Sequence, residues 1–294
     1  MTQERENKTA KEISLVLGSG GARGLAHIGV IQELEAAGLK IKSICGSSMG
    51  ALVGGIYAMG KLDEYESWVR GLSQSDIFSL LDWNFSGGGL VKGQALIKKL
   101  SDLLGEKDIE ELDIDFTAVA VNLNRSTEVW ISEGKLFDAI RASIAIPGIF
   151  TPHQYRGMTL VDGGLLNPVP LAPSLKTISD LTVMVDVNAE ETNHYREKDL
   201  EISENGRPAI IKSLGRLFNK TGKAETQSMI EIMSKAFEIT QNALTRHHLS
   251  LYKADIMINI PHTICMFHEF HRAGEIIEIG RKKARKVLED IEGY

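Results

Sequence analysis

A serine set between glycines, Gly46-Ser47-Ser48-Met49-Gly50, is the most chemically suggestive feature of this 294-residue sequence. It matches G-x-S-x-G, the pattern that turns a serine sharply out of a strand and into a helix, with the glycines leaving room for the tight backbone. The context fits that turn. The apolar run Ile41–Cys45 reads as a strand, and Ala51-Leu52-Val53-Gly54-Gly55-Ile56 reads as the start of a small-residue helix through Met59. Such a turn puts Ser48 at a helix N-terminus, where amide groups and the helix dipole favour developing negative charge. The blander reading of the same residues is a glycine-rich helix start with Ser47 or Ser48 as its N-cap.

A second glycine-rich stretch, Gly18-Ser19-Gly20-Gly21-Ala22-Arg23-Gly24, follows the apolar run Ile13–Leu17 and opens a helix. Successive amides in such a loop form a concavity for anions. A dinucleotide fingerprint beginning at Gly18 would need glycine at position 23, where Arg23 stands, and an acidic residue after the second strand, where none is found. The phosphate-loop spacing fails as well. Both departures count against nucleotide binding, and the alternative is an oxyanion hole facing Ser48, since loops at the C-terminal ends of neighbouring parallel strands lie at one sheet edge.

These two motifs, followed by Asp162-Gly163-Gly164, resemble the patatin-like phospholipase family. That family combines a glycine-rich oxyanion loop carrying a basic residue, a G-x-S-x-G serine and a D-G-[GA] aspartate. Ala142-Ser143-Ile144-Ala145-Ile146-Pro147-Gly148-Ile149-Phe150 and Asn167-Pro168-Val169-Pro170 also resemble the family's surroundings, so the likeness runs from about Ile13 to Pro173. The resemblance implies a Ser48–Asp162 dyad, with Ser48 as nucleophile and Asp162 as general base and then acid. Gly20, Gly21 and the Arg23 segment would form the oxyanion hole, and Gly18, Gly24, Gly46, Met49, Gly50, Gly163 and Gly164 would support the motifs. It implies phospholipase A or lysophospholipase chemistry on lipid or lysophospholipid esters, with no cofactor and no metal. An ordinary carboxylate is a weak base for a serine, so Asp162 is expected to be buried, raised in pKa and hydrogen-bonded directly to Ser48. A catalytically silent, membrane-binding relative is the reading of another class.

A Ser-Asp-His triad is the rival enzyme, and His247, His248, His262, His268 and His271 all lie downstream of Asp162. The early serine and the lack of an HGGG-type loop count against it. His27, inside the first helix, reads as structural. His268-Glu269-Phe270-His271 is one residue short of the H-E-x-x-H zinc spacing, so no metal is assigned. Cys45 and Cys265 belong to no CxxC pair and sit in apolar segments, as buried free thiols would.

The elements that must hold these residues alternate: strand, glycine turn, helix, then the same again, with further strands at Phe116–Leu123, Leu181–Val187 and Ala254–Ile260. This is the rhythm of a three-layer α/β/α fold around a mostly parallel sheet. Residues 1–12 read as a polar tail, 13–189 as the catalytic core and 190–225 as an insertion or mobile loop. Residues 226–294 read as helices and a strand completing the same domain. The last helix, Arg272–Glu292, carries a basic cluster, Arg281, Lys282, Lys283, Arg285 and Lys286, that reads as a solvated face. A net charge of −6 argues against a nucleic-acid partner. The polar N-terminus and the absence of a long apolar run suggest a cytoplasmic protein. Residues 205–224 pattern as a basic amphipathic helix, suited either to peripheral membrane contact or to packing on the core with a solvated face. Trp83 and Phe85 are candidates for an acyl pocket or for core. Nothing in the sequence speaks to oligomeric state.

Overall fold

The computed structural model describes residues 10–82, 91–190 and 229–291. Eight strands form one sheet: β1 (Glu12–Leu17), β2 (Lys40–Ser47), β3 (Asp115–Asn122), β4 (Thr127–Ile131), β5 (His153–Tyr155), β6 (Met158–Asp162), β7 (Leu181–Ala189) and β8 (Ile256–Pro261). Their order is β5-β6-β3-β2-β1-β7-β8, with β4 paired to β3 off this path. The runs β3-β2-β1-β7-β8 are parallel, whereas β6 and β4 pair antiparallel with β3. The five apolar runs expected as strands are the five parallel ones. Buried on both faces, parallel strands read as continuous apolar sequence, and Ile13, Leu15, Val16 and Leu17 of β1 are all inaccessible to water.

Nine helices are seen among the described residues: α1 (Ala26–Ala36), α2 (Met49–Ala58), α3 (Leu62–Arg70), α4 (Gln74–Ser79), α5 (Gln94–Leu104), α6 (Leu136–Ser143), α7 (Leu171–Ser174), α8 (Met229–Leu251) and α9 (Ala273–Asp290). The larger core joins one face of β1 to α1, α2, α6 and α9 through Leu15, Leu17, Ile28, Ile31, Ile56, Ile140 and Ile277. On the other face Val16 and Met184 pack with Val169 and Leu171, and against Leu249 of α8. Helix, sheet, helix is therefore the layering. β1 lies between β2 and β7, so successive connections leave it in opposite directions. Such a switch point opens a crevice at the strands' C-terminal edge.

Local chemistry fixes the return from α1 to β2. Gly38 has φ of 79°, the Leu39 N–H donates to Leu34 O and the Gly38 N–H to Glu35 O, which closes a Schellman motif on the last turn. The basic cluster on α9 leaves Lys282, Arg285 and Lys286 exposed, as expected of a solvated face, and two of its members also bind neighbouring side chains. Arg285 pairs with Glu33 of α1, and Arg281 pairs with Glu278 and donates to Gln32, so these two guanidinium groups tie α9 to α1. Residues 205–224, Trp83 and Phe85 lie outside the described residues. No described helix is long and apolar enough to cross a membrane.

Candidate active site

Ser48 sits between the end of β2 and the first turn of α2, with φ of 54° and ψ of −121°. Positive φ in a residue with a Cβ is strained and persists only where its surroundings enforce it. The enforcement is local. The Ser48 N–H donates to Ser143 Oγ at 2.9 Å, and the Ser143 hydroxyl donates to Val119 O at 2.6 Å, so α6 and β3 together hold the turn. Gly50 completes it. A Cβ there would lie 2.1 Å from Leu17 O and 2.9 Å from Gly18 O, so only glycine lets α2 start against the end of β1. Gly50→Ala is expected to destabilise by at least the upper end of the ~1–3 kcal/mol typical of overpacking, because backbone cannot retreat as a side chain can. Chemical denaturation of the variant would measure this.

The glycine loop follows β1 at the switch point. The Gly18 N–H donates to Val185 O, the Ser19 N–H to Pro168 O and the Ala22 N–H to Phe267 O. No acceptor among the described residues takes the N–H of Gly20 or Gly21. His27, fully buried, places Nε2 2.8 Å from Gly18 O, and burial pushes its pKa down from 6.5 to about 4. A neutral ring therefore donates from Nε2 and steadies the loop, as its structural reading anticipated. The Arg23 side chain is engaged by groups outside the loop. It is buried, pairs with Glu238 of α8 at 3.2 Å and donates to His262 O, so its guanidinium anchors α8.

Asp162 ends β6, opposite Ala120 of β3, and its N–H donates to Ala145 O at 2.9 Å. The stretch Ala142–Phe150 thus holds the backbone of both residues, Ser48 through Ser143 and Asp162 through Ala145. The Asp162 carboxyl is wholly buried. Burial raises its pKa from 3.8 to about 7, against the opposing pulls of the Ser48 hydroxyl and the Gly164 N–H. Oδ1 accepts the Gly164 N–H at 2.7 Å, while Oδ2 holds no hydrogen bond. The hydroxyl therefore approaches the carboxyl closely enough to act on its ionisation but less tightly than the direct hydrogen bond expected; such bonds often close only around the reacting substrate. The neighbouring turn abuts the glycine loop. A Cβ on Gly164 would lie 2.8 Å from Ser19 Oγ and 3.0 Å from Asp162 Oδ1.

Burial, the Ser48 hydroxyl and the Gly164 amide set the pKa of Asp162, and none of the described histidines enters. His262 lies against Ala189 O and His271 against Gln74. Cys45 and Cys265 are buried free thiols. Among the described residues there is no cluster of three or more His, Cys, Asp or Glu suited to a metal ion. Sequence reasoning missed Ser143 as the partner of the Ser48 amide. It also missed Glu238, one of two acids on α8 and more than 200 positions from Arg23, so no local spacing points to it.

Comparison with known proteins bears on this arrangement. A family model described as patatin-like phospholipase matches residues 15–175. An uncharacterized NTE family protein of Mycobacterium tuberculosis is 36% identical, the alignment covering 97% of this chain and 93% of that one. Lysophospholipase nte1 of Emericella nidulans is 29% identical over 62% of this chain, which spans 12% of that much longer protein. The crystal structure of VipD from Legionella pneumophila superposes with a TM-score of 0.53, covering 96% of this chain and 67% of that one; at 16% identity the likeness is one of fold.

Proposed function

Because the chain belongs to the patatin-like phospholipase family, we propose that it is a lipid carboxylic ester hydrolase working through Ser48 and Asp162 on phospholipids or lysophospholipids. Ser48 Oγ attacks the ester carbonyl while Asp162 takes the hydroxyl proton. The carbonyl oxygen, now an oxyanion, is received by the amides of Gly20 and Gly21. Collapse breaks the bond to the alcohol, which leaves with the proton from Asp162, and an acyl-serine remains. Asp162 then takes a proton from water, whose oxygen attacks the acyl group. The second collapse frees the fatty acid and returns the proton to Ser48.

One observation carries this reading: a wholly buried carboxyl with pKa near 7 and a free Oδ2, lying beside a serine on a strained turn. A base poised near the working pH is half ionised there and can both take and return the proton. The likeness to proteins named lysophospholipases supports the substrate class. The test is fatty-acid release from lysophosphatidylcholine and from diacyl phosphatidylcholine, with and without EDTA. Wild type is expected to release fatty acid equally in both conditions. No release from any lipid ester would count against the activity, and loss in EDTA would count against a metal-free dyad.

A further inference from the structure

In a planar trans peptide unit, the carbonyl of one residue and the N–H of the next point in opposite directions. The unit bearing the Gly20 N–H therefore carries the Ser19 carbonyl on its other side. Asn188, near the end of β7 and 4% exposed, donates Nδ2–H to that carbonyl at 2.6 Å. Its own N–H donates to Asp186 Oδ1 at 2.8 Å, which fixes the backbone from which the amide side chain reaches. The side chain also lies alongside Gly20, where a Cβ would come 3.4 Å from Asn188 Oδ1 and 2.3 Å from Val187 Cγ2.

The other tethers hold other peptide units. Val185 O takes the Gly18 N–H, ahead of the loop. His27 Nε2 and Pro168 O hold the Gly18–Ser19 unit by its two ends, and Phe267 O holds the Gly21–Ala22 unit. For the Ser19–Gly20 unit, the tether found among the described residues is Asn188, and it engages the carbonyl while leaving the N–H uncommitted. The asparagine makes this bond although its own buried Oδ1 finds no partner, so what the side chain contributes here is its Nδ2 donor to Ser19 O.

We infer that Asn188 is a positioning residue for the oxyanion hole: by holding Ser19 O it sets the rotation of the Ser19–Gly20 peptide and so aims the Gly20 N–H. The inference rests on the reading in which Ser48 attacks and the Gly20 amide receives the charge. The test compares a soluble ester, p-nitrophenyl butyrate, with its thiono analogue. Sulfur in place of the carbonyl oxygen is a poorer acceptor, so amide donors contribute less to its transition state. Removing an oxyanion donor outright costs about 10²–10³ in kcat, so misaiming one by Asn188→Ala should cost the oxoester roughly 10- to 100-fold. KM should stay within about 3-fold, because the lost interaction belongs to the transition state. The thionoester should lose far less, so the oxo/thiono ratio falls.

Asn188→Asp keeps the shape and, when ionised, replaces the donor with an acceptor. It should show the same drop in ratio, and it serves if the alanine variant fails to fold. An unchanged ratio in the folded variants, with either no loss or an equal loss on both esters, overturns the positioning role. Ser48→Ala in the same assay separates the two claims. If it turns over like wild type, the underlying reading fails as well. If it is inactive while the Asn188 variants keep the wild-type ratio, only the positioning role falls.

Discussion

Ser48→Ala is expected to lower turnover of any ester substrate by about 10⁴- to 10⁶-fold, the range set by removing a nucleophilic serine whose oxyanion hole stays in place. The loss should come without unfolding. Alanine keeps the Cβ that the turn already accommodates, and the Ser48 N–H can still donate to Ser143 Oγ. Ser48→Gly extends the same prediction to stability. With φ of 54° and ψ of −121°, position 48 costs any residue with a Cβ, so glycine should raise stability by ~1 kcal/mol while remaining inactive. Thermal denaturation and ester turnover of the two variants would read both effects. A Ser48→Ala protein that keeps a tenth of wild-type activity would exclude the serine as nucleophile.

Asp162→Asn should cost about 10²- to 10⁴-fold in kcat, the usual worth of a positioned general base. Asparagine can still accept the Gly164 N–H through its Oδ1, so the loss falls on proton transfer and not on the turn. The pH dependence follows from the raised pKa. Wild-type kcat/KM should climb as pH rises through about 7, where the carboxyl becomes the carboxylate that accepts a proton, and this limb should vanish in the variant. Stability runs the other way. The folded chain holds the Asp162 proton more tightly than the unfolded chain, so the favourable contribution is complete below about 3.8 and is lost as pH rises through about 7. Asp162→Asn carries no such penalty. Its stability relative to wild type should therefore grow between those limits and level off above them. A wild-type profile flat through this range would remove the basis for calling Asp162 the base.

The parallel half of the fold is plain in the sequence because each central strand is buried on both faces and must be apolar throughout. Ile13–Leu17 and Ile41–Cys45 declare themselves in this way, and the glycines after them mark the loops. The antiparallel edge is not plain. β5 and β6 span three and five residues, carry His153, Gln154 and Thr159, and lie at one end of the sheet, so neither composition nor alternation distinguishes them from a loop. Yet β6 carries Asp162, and pairing with β3 sets it near Ser48. Without the D-G-G resemblance, Asp162 would have passed for a turn residue.

The supporting side chains were hidden for a related reason. Ser143 and Asn188 act by reaching a backbone atom, and such a contact leaves no spacing pattern in the sequence; His27 was legible as structural, but its partner Gly18 O was not. Arg23 shows the limit of carrying a motif across. Its position in the loop suggested a role at the oxyanion, but its guanidinium is committed to Glu238 and His262 O, so any part it plays there belongs to its backbone.

Peptide mass spectrometry after treatment with a fluorophosphonate tests the Ser48–Asp162 assignment most directly, because the reagent bonds covalently to an activated serine. The expected result is one adduct, on the peptide bearing Ser48, formed faster as pH rises through about 7 and much more slowly in Asp162→Asn. An adduct on another residue, or equal labelling of wild type and Ser48→Ala, would contradict it.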